Sequence, residues 1–340
     1  GFYSINDYIE ILQYAHARQI EVVPSLDMPG HSRAAIISMN ARYNRLMQQE
    51  KPEEAQQYFL TEIEDKSQYR SIQHYNDNTL NPCLPATYTF IGEVLSQLIH
   101  MHKSAGVPLG RYHIGADETA GAWAESPACE ALIAKNEDLT EAKQLGSYFV
   151  EKVANNVSEL GVVPAAWSDG LSHANSENLP SPLQSNSWET LYSGGHNNVH
   201  TMINKGWQVV LSTPDVLYFD FPYEADPIEP GYYWGSRYTD SYQVFQFMPH
   251  NLAVHAELGI QAQIWGETVR SDAQANYMLF PRLLAVAERA WHKPEWAEKY
   301  QAGVSYSAQT GHFESKQKSA MDADWLGFSR VLVHKAMLQL

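Results

Sequence analysis

The chain has 340 residues, 44% of them hydrophobic, and its 39 acidic side chains outnumber its 23 basic ones to leave a net charge of -16. That charge repels phosphate backbones and anionic lipid surfaces, so no nucleic-acid partner is expected. No run of about 18 apolar residues is present, so no membrane span is expected either, while the hydrophobic content suffices for a substantial core.

The opening Gly1-Phe-Tyr-Ser leads straight into an amphipathic segment, so the sequence is expected to be a fragment or a processed product and is silent about export. Asn6 is expected to cap a helix running to about Arg18, with Tyr8, Ile9, Leu12 and Ala15 on one face. Residues 19–26 (QIEVVPSL) read as a short buried strand. Pro29 and Gly30 then stop regular structure and leave Asp27 and His31 on a loop at the strand's C-terminal edge. Residues 44–81 are polar and poorly periodic, a long excursion with a short helix expected near 53–60; loops of this length are usually functional or mobile. From Pro85 the spacing of Phe90, Ile91, Val94, Leu95, Leu98 and Ile99 predicts a helix that Gly106 ends.

The segment RYHIGADE, residues 111–118, begins as an apolar strand and ends in two adjacent carboxylates. Side chains next to each other on a regular strand face opposite ways, so Asp117 and Glu118 can serve one ligand only where the strand breaks up, and Gly115 and Ala116 leave room for that break. A pair of acids at a strand's C-terminal end is where a (β/α) barrel places acid/base chemistry. Thr140 is expected to cap a helix to about Leu160, closed by Gly161. Strands follow at 162–167, breaking at Ser168-Asp-Gly170, and at 183–188. A helix near 197–205 precedes a strand at 208–212, with 216–220 extending that strand or its loop. After an aromatic, Pro-rich stretch to Trp234, a helix at about 240–250 leads to a strand at 260–265 that stops at Gly266-Glu267. One helix is expected from Ser271 or Asp272 to about Trp291, and a helix-like stretch at 328–340. Cys83 and Cys129, the only cysteines, lack metal-site spacing; they are either two buried thiols or a disulfide.

Alternation of apolar strands with helices means a parallel sheet covered by helices. None of the six strands is followed by the Gly-rich phosphate turn of a doubly wound sheet. They end instead in acids or aromatics: Asp27, Asp117 with Glu118, Trp167, Trp188, Tyr218 with Asp220, and Trp265 with Glu267. One such tryptophan is ordinary core; the series implies a shared pocket at one end of a barrel. The expected fold is therefore a TIM (β/α)8-type barrel truncated to strands 3–8, with residues 1–300 as an N-terminally incomplete catalytic domain and 301–340 as an extension.

The motifs DMPGH, HIGADE, AAWSDG, SNSW, VLYFD and QIWGE, in that order and each at a strand end, resemble those of family-20 glycoside hydrolases, the β-N-acetylhexosaminidases, with the nearest likeness to bacterial chitobiase-type enzymes. The likeness runs from about residue 2 to about residue 292. It implies a retaining exo-glycosidase without an enzyme nucleophile: the substrate's own 2-acetamido oxygen attacks the anomeric carbon and gives an oxazolinium intermediate, an exception to the two-carboxylate scheme. By the same resemblance Glu118 matches the general acid and then base, Asp117 the group that takes the acetamido N–H, and Tyr218 the group that holds the carbonyl oxygen. Trp167, Trp188 and Trp265 match the walls around the acetamido methyl. Asp220 and Glu267 match the acids that bind sugar hydroxyls, Trp234 a platform for the next sugar, and Asp27 and His31 a supporting pair behind the acid. The implied partner is an N-acetylated amino-sugar oligosaccharide, the implied location periplasmic or secreted, and no cofactor is implied. The arginine on the family's first strand has no match here. Two other readings compete: a non-catalytic sugar-binding protein on the same scaffold, and a metal-dependent barrel hydrolase with His31, His113, Asp117 and Glu118 as ligands.

Overall fold

In a computed structural model of the chain, the described residues are 2–119, 121–191, 193–249, 257–297 and 315–336. They form two compact units, Gly1–Ser185 and Asn186–Leu340.

The first unit opens on the helix Ile5–His16, capped by Ser4 rather than Asn6. The Asp7 N–H donates to Ser4 Oγ (3.2 Å) and the Ser4 N–H to Asp7 Oδ2 (2.8 Å), a reciprocal box that satisfies two end-of-helix donors at once. Leu12 and Ala15 turn inward as expected. Strand β1 is Ser25–Met28, later and shorter than the expected 19–26. Pro24 has no N–H to give to a ladder, so pairing starts after it. Asp27 consequently stands in the strand and not on the loop beyond it. The helix Arg33–Gln48 has no counterpart in the sequence reading; it buries only Ile36 and Leu46, too little to print a clear helical period. Within the polar excursion the short helix is Pro52–Gln56, ending before the expected Leu60. A disulfide between Cys83 and Cys129, with their Cα atoms 5.1 Å apart, ties the end of the excursion to the helix Pro127–Ile133 and settles the alternative left open by the sequence.

The helix Pro85–Ala105 ends at Gly106 in the left-handed region, as expected. Strand β2, Arg111–Gly115, lies parallel between β1 and strand β3, Val163–Trp167; Ser25 is level with His113, and His113 with Ala165. Between β2 and β3 runs the helix Leu145–Glu159. Thr140 does not cap it: its N–H and O–H both go to Gln144 Oε1, and Glu141 caps a preceding 3-10 turn, Ala142–Gln144. Beyond β3 the chain does not loop out but enters the short helix Ser168–Ser172 at once.

Strand β4, Gln184–Ser187, carries the chain from the first unit into the second, where the Ser212 N–H donates to the Ser187 carbonyl at 2.8 Å. After the helix Gly195–Asn204, strands β5, Gln208–Leu211, and β6, Glu257–Ile260, pair in parallel. Residues 216–220 do not extend β5. Pro214 starts a turn of helix, Pro214–Leu217, for which its fixed φ is suited, and Tyr218 then makes a single parallel bridge to Gln263. The expected strand at 260–265 is regular only up to Ile260, with Gln263 touching down once more. The helix Ser241–Gln246 starts from the Asp240 cap as expected and is shorter than proposed; His250 lies outside the described residues. The single helix expected over 271–291 is two, Asp272–Leu279 with Ser271 as its cap and Arg282–Trp291, because Pro281 lacks an N–H and its ring clashes with a continuing helix. The last helix, Ser315–Val331, begins well before the expected 328 and passes into a wider turn, Leu332–Ala336; residues 337–340 are outside the described set.

The alternation is that of a (β/α) barrel, and its six strands in chain order match in number the expected strands 3–8. No helix among the described residues is long and apolar enough to cross a membrane.

Candidate active site

The paired acids sit where β2 stops being a strand. Gly115, Ala116 and Glu118 all have positive φ (83°, 77° and 53°), which swings the chain so that the two carboxylates no longer face opposite ways. Gly115 admits no substitute: a Cβ there would stand 1.8 Å from Asp27 Oδ1. That oxygen also accepts the Ala116 N–H at 3.2 Å, so Asp27 on β1 grips the turn on β2.

His31, itself at φ 51°, reaches back over the pair. Its Nε2 lies 3.4 Å from Asp117 Oδ2 and 3.4 Å from Glu118 Oε2. These two contacts, Asp117's first, push the imidazole up to about 10, so it is an imidazolium at neutral pH. Burial raises the Asp27 carboxyl well above its ordinary value, and the neighbouring Asp117 charge and their shared hydrogen bond raise it further. Burial acts upward on Asp117 too, but the His31 bond and charge outweigh it and leave that carboxyl below its ordinary range. Of the pair, Asp117 is therefore the stronger acid and the first to ionise. Asp117 Oδ1 is buried, and no N–H of the described residues donates to it.

His113 stands apart from this cluster. Its Nδ1 is shared with Ser25 Oγ and the Gly115 N–H (both 3.2 Å), its ring meets Trp167 edge-on at 4.9 Å, and burial depresses it to about 4. It is a support under Gly115 and Trp167, not a member of the ligand set proposed for a metal. The potential ligand atoms of Asp27, His31 and Asp117 do lie within 4.8 Å of one another. A cation there would have to displace the proton that the Asp117 and Glu118 contacts hold on His31, and neither His113 nor Glu118 joins that group among the described residues.

Two residues the sequence reading passed over also belong here. The Glu118 N–H donates to Asp169 Oδ2 (3.1 Å), and the Tyr69 hydroxyl donates to the Glu118 carbonyl (3.2 Å). Asp169 follows β3 at the same strand-end position as the other acids, a signal overlooked because Ser-Asp-Gly reads as a breaker. Tyr69 lies in the aperiodic excursion, where nothing distinguishes it. A cleft of about 1360 Å³ opens beside Glu118, bordered by Pro29, Ala116, Thr119, Trp123 and Asp169.

In the second unit the aromatics gather around Tyr218. Trp234 meets it edge-on at 5.6 Å, Trp265 lies 6.2 Å away, and Trp188 packs edge-on against Trp234 at 6.1 Å. Tyr218 is buried, whereas Trp234 and Trp265 are open to solvent. Asp220 is buried, with Oδ1 receiving no hydrogen bond; burial first, then the Glu267 charge, raise its carboxyl to about 6. Glu267 is exposed. The loop carrying Tyr218 and Asp220 is fixed by Arg282, a fully buried guanidinium that donates to the carbonyls of Phe219 (2.7 Å), Phe221 (2.8 Å), Thr239 (3.0 Å) and Met278 (3.0 Å).

Strand-end acids thus lie under an imidazolium in one unit, and an aromatic cluster with a buried acid lies in the other, on a chain of α/β-barrel type. The model of glycosyl hydrolase family 20, catalytic domain, matches residues 1–294, and the chain belongs to that family. It is 52% identical over 357 residues to beta-hexosaminidase B of Pseudoalteromonas piscicida, an alignment covering 98% of this chain and 46% of that protein. It is 37% identical over 394 residues to the N,N'-diacetylchitobiase of Vibrio harveyi, covering 100% of this chain and 44% of the other. Among solved structures, the exo beta-N-acetylglucosaminidase of Vibrio harveyi in complex with N-acetylglucosamine superposes with a TM-score of 0.72 at 28% identity, over 97% of this chain and 45% of that one. The chain thus spans less than half the length of these relatives.

Proposed function

We propose that this chain carries the catalytic machinery of a retaining exo-β-N-acetylhexosaminidase that releases terminal N-acetylglucosamine, or N-acetylgalactosamine, from chitobiose and chitooligosaccharides. The observation that supports it most is the pairing of Asp117 and Glu118 under one imidazolium, with Asp117 held ionised. In this reading Asp117 accepts the acetamido N–H, which pushes electron density onto the carbonyl oxygen. That oxygen attacks the anomeric carbon while Glu118 gives its proton to the departing glycosidic oxygen. The bond to the leaving group breaks as the oxazolinium ring closes. Glu118, now a carboxylate, takes a proton from water, whose oxygen reopens the ring at the anomeric carbon and restores the starting configuration.

Tyr218 holds the carbonyl oxygen, Trp167, Trp188 and Trp265 wall the methyl, Asp220 and Glu267 bind sugar hydroxyls, and Trp234 offers its face to the next sugar. Asp27 and His31 stand behind the acid and keep the Asp117 charge. The disulfide is in keeping with a periplasmic or secreted location.

The test compares an aryl N-acetyl-β-glucosaminide with the matching β-glucoside bearing a 2-hydroxyl. Turnover of the first alone is expected; equal turnover of both overturns substrate assistance. Glu118→Gln is expected to lower turnover of unactivated substrates by roughly a hundredfold or more while leaving sugar binding intact, and an undiminished rate removes Glu118 from the role of acid.

A further inference from the structure

We propose that Tyr69 and Asp169 are positioning residues that clamp both ends of the Glu118 peptide and so fix the direction of its carboxyl; this rests on the reading of Glu118 as the acid. Glu118 is a non-glycine residue at φ 53°, a strained conformation that persists only where surrounding contacts over-determine it. The contacts are there, and they come from afar. Its N–H is held by the carboxylate of Asp169, 51 residues on, and its carbonyl by the hydroxyl of Tyr69, 49 residues back. No other backbone bond restrains this residue among those the described structure shows.

Both clamps are themselves anchored. The Tyr69 ring is buried with Ala122, Trp123, Cys129, Leu139 and Leu145, and the Cys83–Cys129 disulfide packs in the same cluster. The excursion that carries Tyr69 is stitched on by further bonds, among them those from the Ala128 N–H to Glu62 (3.1 Å), from Ser126 Oγ to Glu62 (2.5 Å) and from the Glu125 N–H to Ser67 Oγ (2.9 Å). Asp169 is held in the first turn of the helix Ser168–Ser172. There Gly170 packs so closely that a Cβ would stand 2.3 Å from the Ala116 carbonyl oxygen, which locks this turn against the one bearing the acids. The long polar excursion thus gains a purpose: it delivers one hydroxyl to one peptide. An acid displaced by about 1 Å from its proton acceptor loses up to roughly a hundredfold in rate, so the clamp acts on the protonation step and not on affinity.

The experiment uses the natural full-length protein and two N-acetyl-β-glucosaminides, one with a nitrophenyl leaving group that departs with little help and one with an alkyl leaving group that needs the proton. Tyr69→Phe keeps the ring in its cluster and deletes only the hydroxyl. The expected result is a roughly tenfold or larger loss of kcat on the alkyl substrate, a loss several times smaller on the nitrophenyl substrate, and an unchanged KM for both. Asp169→Ala is expected to show the same selectivity, and Asp169→Asn, which keeps an acceptor oxygen for the Glu118 N–H, to recover most of it. Equal losses on both substrates, or none, overturn the proposal, because a purely structural contribution does not depend on the leaving group. Glu118→Gln, run beside them, separates the two ideas. If it shows no leaving-group selectivity, the reading of Glu118 fails. If it shows selectivity and Tyr69→Phe does not, the clamp alone fails.

Discussion

His31 sets one positive charge between two carboxyls, Asp117 and Glu118. Its folded pKa is raised from 6.5 to about 10, first by the bond to Asp117 and then by that to Glu118. A base with a raised folded pKa contributes stability that is complete below the unfolded value and is lost as pH climbs through the folded one. Thermal unfolding followed between pH 6.5 and 10.5 is therefore expected to show a falling midpoint, and His31→Ala to start lower and lose most of that slope. A wild-type midpoint unaffected by pH across this window contradicts the imidazolium. Asp220 moves the opposite way from a typical carboxylate. Burial raises it to about 6, so its folding contribution declines from about pH 4 to pH 6 and is flat above. The ionised form present above pH 6 is the stronger acceptor for a hydroxyl.

At the scale of elements, the loop after β5 depends on a single cation. Arg282 satisfies carbonyls of Phe219, Phe221, Thr239 and Met278 with a planar fork that the lysine ammonium cannot reproduce. Arg282→Lys is expected to lower unfolding free energy in urea by about 2–4 kcal/mol, through carbonyls left without donors. A change within about 0.5 kcal/mol would mean that the carbonyls find other partners.

Elements also differ in how far their sequence betrays them. The helix from Pro85 was legible because one face repeats large aliphatics and a glycine closes it. The strand ends were legible because acids and aromatics interrupt apolar runs. The helix Arg33–Gln48 is hidden, since its burial rests on two residues, and residues 216–220 read as strand or loop rather than the end of the turn Pro214–Leu217 because Val-Leu-Tyr-Phe fits any of these. Asp27 reads as a loop residue because Pro29 and Gly30 follow it so closely, whereas Pro24 delays pairing and keeps Asp27 in the strand. Tyr69 could not be found at all: what distinguishes it is a bond to a peptide 49 residues away, and no local pattern encodes such a distance.

For the molecule as a whole, the disulfide closes a loop of 46 residues around the excursion. By chain entropy such a crosslink contributes up to about 4 kcal/mol. Reduction under native conditions is expected to lower the denaturant midpoint of the first unit and to raise protease cutting between residues 57 and 84. An unchanged midpoint would show that the packing of Tyr69, Trp123 and Leu145 holds the excursion without covalent help. The excursion and the acid turn are both confined to Gly1–Ser185. Each contact described around Glu118, from Asp27, His31, Tyr69 and Asp169, is made inside those 185 residues. Every bond that sets the acid turn is therefore encoded in one contiguous stretch of chain, whose crosslink needs no residue beyond Cys129.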